Sequence, residues 1–165
     1  MRELFTFPNP VDEHAARTVA AGVVLLAGFT LLTGWWWLTL PLAYGFVARV
    51  AAGPRFSPLG LLATRVIVPR LPLTPKHTPG PPKRFAQAIG AAFSITAAVL
   101  ALGFGATGAA AALLAVLTLF ATLEAAIGFC LGCQVFALLM RAGIIPADVC
   151  ESCNDIWTRY ERPAV

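Results

Sequence analysis

Charge is what this chain of 165 residues has least of: 12% of it is Asp, Glu, Lys or Arg, against 58% hydrophobic residues. A soluble domain carries about 25% charged residues, so water is excluded as the main solvent. Acids are the scarcer sign, 8 in all, and none lies between Glu13 and Glu124. Cysteine is missing from the first 129 residues, which excludes a disulfide framework over most of the chain. No Gly-rich phosphate loop, Ser/His/Asp set or nucleic-acid-binding pattern occurs, so the sequence argues against a nucleotide, acyl-transfer or nucleic-acid role. The two histidines, His14 and His77, have no spaced metal-ligating partner.

Long hydrophobic runs take the place of charge. Between Arg17 and Arg49 lie 31 uncharged residues, and between Arg84 and Arg141 lie 56 in which Glu124 is the one ionisable carboxylate. A spanning helix takes roughly 20 residues, so each run reads as a helical hairpin. The predicted spans are 18–33, 35–51, 85–103 and 109–135, with turns at Thr33-Gly34 and from Gly103 to Gly108. Trp35, Trp36 and Trp37 then fall at the headgroup level that aromatic residues favour. Small residues let membrane helices approach closely, and Gly90, Ala91, Ala92 and Ser94 are expected to face the run from Ala109 to Ala112. The expected fold is all-α and integral to the membrane: a four-helix transmembrane bundle of two hairpins, with an interfacial helix in the central loop and a short C-terminal amphipathic helix. The lipid bilayer is its first partner, and so small a bundle is compatible with a homo-oligomer.

The stretch from Arg49 to Arg84, which holds the loop 52–84, carries seven Lys or Arg and no acid, whereas the two outer turns carry no charge. The positive-inside rule puts this loop and both termini in the cytoplasm. Ser57-Pro58 is a good N-cap and first-turn pair, and predicts a short interfacial helix that stops before Pro69. His77 to Lys83, rich in proline, reads as a non-helical strap.

All four cysteines fall in two pairs, Cys130/Cys133 and Cys150/Cys153, separated by 16 residues. That spacing is typical of tetrahedral zinc sites, and C-x-x-C is also the minimal dithiol unit. Cys130 and Cys133 are expected on one face inside the fourth helix. At 1.5 Å per residue, Cys130 lies about 30 Å beyond Ala109, at the inner membrane surface. Cys150 and Cys153 share the apolar face of an amphipathic helix from Pro146 to Trp157 in the tail 144–165, which folds back towards the first pair. Three readings stay open: a structural zinc held by all four thiolates, exchange of electrons or sulfur with a soluble partner, and simple burial. Reactive cysteines gain acidity from a helix N-terminus or a nearby cation, which favours Cys150/Cys153 over a pair set inside a helix. Glu124, about 22 Å along its helix, is a functional candidate because ionisable groups inside a span are costly. Gln87, Lys83 and Arg84 are within reach of it, and an ion pair or hydrogen bond is its structural explanation.

The stretches Gly53-Pro-Arg-Phe-Ser-Pro-Leu-Gly60, Gly80-Pro-Pro-Lys-Arg-Phe-Ala-Gln87 and Glu124-Ala-Ala-Ile-Gly-Phe-Cys-Leu-Gly-Cys133 together resemble a family of small bacterial membrane proteins. The family is common in actinobacteria and known as a domain of unknown function in the four-thousand-three-hundreds. The resemblance runs from Asn9 to the second cysteine pair. It implies the bacterial inner membrane and, because such proteins accompany thioredoxin-like or rhodanese-like proteins, thiol or sulfur chemistry. The expected function is a membrane-anchored thiol protein whose Cys150/Cys153 pair exchanges with such a partner while Cys130/Cys133 serves the membrane side. A scaffold with a four-cysteine zinc site and a small-solute transporter subunit are the alternatives.

Overall fold

A computed structural model describes residues 9–70, 74, 76–146 and 149–150. The chain is mostly helical. Helix α1 (Glu13–Thr33) is opened by Asp12, whose carboxylate accepts from the His14 amide at 2.8 Å, and closed by Gly34 in the left-handed region, φ 70°. A one-turn 3-10 helix (Trp36–Leu38) leads into α2 (Thr39–Ala52). Pro41 falls in the first turn of α2, where the ring costs no amide hydrogen bond. Helix α3 (Pro58–Leu62) runs on through irregular helical turns to Arg70, and the Ser57 hydroxyl accepts from the Gly60 amide at its start. Helix α4 (Gly80–Ala98) ends in a π-helical turn (Val99–Gly103); α5 (Thr107–Ile127) and α6 (Leu131–Arg141) complete the set. Two short strands, β1 (Val11–Asp12) and β2 (His77–Thr78), pair antiparallel and tie the segment before α1 to the segment before α4.

Three helices, Glu13–Thr33, Gly80–Gly103 and Thr107–Ile127, are long and apolar enough to cross a membrane. Their outward faces carry apolar side chains that a soluble protein would bury: Leu25 is 74% exposed and Leu119 57%. Lipid is the solvent that makes such a surface stable.

Packing does not follow the chain. Helix α1 lies chiefly along α5, and α2 along α4, which also touches α5 and α6. The core where they meet is built from Val23, Ala27, Leu42, Phe46, Ala97 and Leu114. Phe46 sets the distance between α2 and α4, because a Cβ on Gly90 would stand 2.2 Å from its ring. Gly90 therefore receives an aromatic ring from α2 and does not serve the expected seam with Ala109 to Ala112.

Two expectations are corrected. The helix predicted across 109–135 stops at Ile127, where Gly128 takes φ 73° and ends it; α6 is a new helix that begins after Cys130. The strap predicted from His77 to Lys83 is a two-residue strand followed at once by helix, with Pro81 and Pro82 in the first turn of α4. A first turn has no intrahelical acceptors for its amides, so proline opens a helix as readily as it breaks one. Cys153 and nearly all of the predicted tail helix lie outside the described residues.

Candidate functional site

All three family-like stretches converge at one end of the bundle. The first of them folds tightly on itself. Gly53 takes φ 64°, and a Cβ on Gly60 would stand 2.8 Å from the Pro54 Cα, so the backbone of 53–55 lies directly against α3. This presses Ser57 inward, where its side chain is fully buried. Its hydroxyl oxygen accepts from Arg49 Nη1 at 2.9 Å.

The second stretch supplies two side chains. Gln87 Oε1 accepts from Arg49 Nε at 2.8 Å, and Lys83 Nζ forms an ion pair with Glu124 at 2.5 Å. The lysine side chain is 6% exposed and the glutamate 14%, so the lysine is buried and the glutamate partly so. Of the three partners considered for Glu124, Lys83 takes the role. Gln87 is engaged by Arg49, and Arg84 Nε donates to the Val50 carbonyl at 2.9 Å. Helix geometry explains the choice. Lys83 lies one turn before Gln87 on α4 and faces inward at the level of Glu124, while Arg84 is rotated towards the surface.

Arg49 is the residue that sequence reading passed over. It is buried, 5% exposed, with its guanidinium over the Phe46 ring at 4.6 Å. Its Nη2 has no hydrogen-bond partner among the described residues. A buried polar group left unpaired costs about 1–3 kcal/mol, more when charged. The available signal was its position in the last turn of α2, four residues after Gly45, whose missing side chain leaves room for Nη1 at 3.2 Å.

The third stretch carries the sulfurs. Arg17 of α1 donates through Nε and Nη2 to the carbonyls of Ala125 and Ala126, at 3.1 and 2.6 Å. It thereby satisfies the open end of α5 that Gly128 terminates. Glu13 packs beside the turn, with its Oε1 2.9 Å from where a Gly128 Cβ would stand, and is paired with Lys76 at 3.0 Å. Cys130 is the N-cap residue of α6, and Cys133 lies in its first turn, its amide donating to the Cys130 carbonyl at 3.1 Å. Gly132 lets this helix start touch α4, since a Cβ there would be 2.5 Å from that of Ala86.

Both of these cysteines are free thiols; Cys130 is buried and Cys133 partly so. The Cys130 thiol is held below its ordinary pKa, first by a hydrogen bond from the Cys133 thiol and further by the Lys83 ammonium, against the opposing effects of burial and Glu124. The Cys133 thiol is pushed up, chiefly because it is the donor in that bond, and also by burial. The two sulfurs line an open cleft together with Lys83, Glu13 and Lys76. Cys150 is disulfide-bonded and packs against Phe136 of α6. Among the described residues, no three of His, Cys, Asp and Glu gather as a metal-binding group.

The acidity argument therefore inverts. Cys130 is not inside a helix but at the start of one, with a cation beside it, the two conditions that lower a thiol's pKa. Such an arrangement can present one nucleophilic sulfur with a second behind it.

Apolar helices with outward apolar faces and a paired thiol at one end define an all-α membrane protein. The chain belongs to the family described as Domain of unknown function (DUF4395), whose model matches residues 11–141. No curated protein and no solved structure matches the chain.

Proposed function

We propose that this is a four-pass protein of the bacterial inner membrane that performs thiol–disulfide or sulfur exchange with a soluble thioredoxin-like or sulfurtransferase-like partner. Cys130 is the attacking thiolate and Cys133 the resolving thiol. The observation that carries this reading is Cys130 at the N-cap of α6, lining one cleft with Cys133 and Lys83.

The exchange balances as follows. The Cys130 thiolate attacks one sulfur of the partner's disulfide, forming a mixed disulfide and releasing the partner's other sulfur as a thiolate. Cys133 loses its proton and attacks the Cys130 sulfur, closing the 130–133 disulfide and displacing the second partner thiolate. Two electrons and the one proton of Cys133 pass from the cysteine pair to the partner, the proton going to the partner thiolate released first. Lys83 stabilises the Cys130 thiolate, and Glu124 holds Lys83 in place.

The four-pass reading is supported by α2 and its preceding turn. They begin beside the Val99–Gly103 turn at the tryptophan end and reach Gln87 at the charged end. The positive charge of the basic loop supports a cytoplasmic position for the charged end, with Cys130. There glutathione and thioredoxin systems keep thiols reduced.

Cell lysates from strains carrying Cys133→Ser are expected to hold a mixed disulfide at Cys130 that reductant releases; Cys130→Ser should trap none. Absence of any adduct with Cys133→Ser would sink the proposal. The competing reading, a zinc held by all four cysteines, is supported by their spacing alone. Stoichiometric zinc lost on mutating any one cysteine would favour it instead.

A further inference from the structure

We infer that Arg49 anchors an anionic ligand, an oxyanion of one negative charge such as a phosphodiester or carboxylate, in the cavity between α1, α3 and α4. This site is separate from the thiol pair and does not depend on the exchange reading. Its cavity has a volume of about 180 Å³ and is lined by Arg49, Lys83 and Gln87 together with Ala16, Val19 and Pro54.

Three observations lead there. The guanidinium is almost wholly buried, yet its Nη2 finds no acceptor among the described residues, although Nε and Nη1 are both satisfied. Buried donors are nearly always paired, so Nη2 is suited to donate to an acceptor on a bound ligand. The charges here also leave Arg49 without a carboxylate of its own: among the described residues Glu124 is paired to Lys83 and the similarly shielded Glu13 to Lys76. Asp12 lies at the same cavity but is partly exposed, and its carboxylate is occupied with the His14 amide. Finally, most of the cavity lining is apolar, Ala15, Ala16, Val19 and Pro54 among it, which suits a charged head attached to a greasy body. Guanidinium is the side chain best matched to a planar or tetrahedral oxyanion, through two parallel N–H groups.

The chemistry is shared by an anionic lipid head and a small free anion, and the test separates them. The full-length chain, purified in dodecyl maltoside, is unfolded thermally with added phosphatidylglycerol, with phosphatidylcholine, and with sodium phosphate against sodium chloride at equal ionic strength. We expect phosphatidylglycerol to raise the midpoint by several degrees and phosphatidylcholine to leave it unchanged. An equal rise with inorganic phosphate would assign the site to a free anion. Arg49→Gln should abolish the response. Ala16→Leu, which fills the cavity from a partly exposed position and leaves Arg49 intact, should abolish it too, and decides the matter where Arg49→Gln does not fold. No rise with either anion, or a rise that survives Ala16→Leu, overturns the inference. Cys130 trapping in the same variants reads the thiol chemistry separately.

Discussion

At one end of the bundle Trp35 stacks on Trp37 at 6.3 Å and meets Phe29 edge-on at 5.9 Å, with both tryptophans more than half exposed. At the other end Arg49 and Lys83 are buried among α2, α4 and α5, with Glu124 partly buried beside Lys83. The two ends are held by different means. Exposed aromatic rings need no particular partner, because each gains what it gains from the membrane interface. Buried charges are stable only with their partners in place, since each carries a large desolvation cost. The tryptophan end should therefore tolerate change, and the charged end should not.

The sharpest way to break this comparison is Lys83→Met, which leaves Glu124 buried without its counter-ion. It should cost about 3–5 kcal/mol in unfolding experiments in detergent. The double variant Lys83→Met/Glu124→Met should recover most of that loss. A single variant as stable as the parent would mean that water reaches the carboxylate and that the end is not dry.

Gly90→Ala comes next, because a methyl group there must displace the Phe46 ring on which Arg49 rests. Overpacking of this kind costs about 1–3 kcal/mol. Gly128→Ala should cost about 1 kcal/mol through its left-handed backbone alone, and it should slow reaction at Cys130 by shifting the start of α6.

A pH profile sharpens the same contrast without unfolding the chain. Cys130, lowered by the Cys133 hydrogen bond and by Lys83, should alkylate with iodoacetamide at a pH where an ordinary thiol is still protonated, and Cys133 should lag behind it. Cys133→Ala removes the donor, so the Cys130 pKa rises and its alkylation profile moves to higher pH. A profile that does not move would show that the hydrogen bond does not hold the thiolate. The smallest effect belongs to the other end: Trp37→Leu should alter stability by no more than about 0.5 kcal/mol.

How much of this was legible beforehand varies with the range of the interaction. The cap at Gly34, the turn after Gly103 and the Ser57 cap of α3 follow from neighbours in the chain, and each was readable. The break at Gly128 was harder. Glycine within an apolar run is common in membrane helices, and what makes this one a terminator is Arg17, more than a hundred residues away, which satisfies the carbonyls that the break exposes. The acidity of Cys130 was misjudged for the same reason, because it depends on whether the helix is interrupted two residues earlier. The sequence offers Gln87, Lys83 and Arg84 alike as partners for Glu124, and Arg49 reads there only as part of a topological signal. Its burial depends on Gly45, Ser57 and Gln87 meeting from three segments.

The sequence by itself determined the solvent, the helical class and the family, because hydropathy and charge spacing are properties of the chain that any membrane fold must respect. The tertiary structure alone decided which helices pack together, where α5 ends and which cation sits beside which acid or thiol. Those outcomes depend on desolvation and on side chains from distant segments arriving at one depth, and no local pattern encodes that meeting.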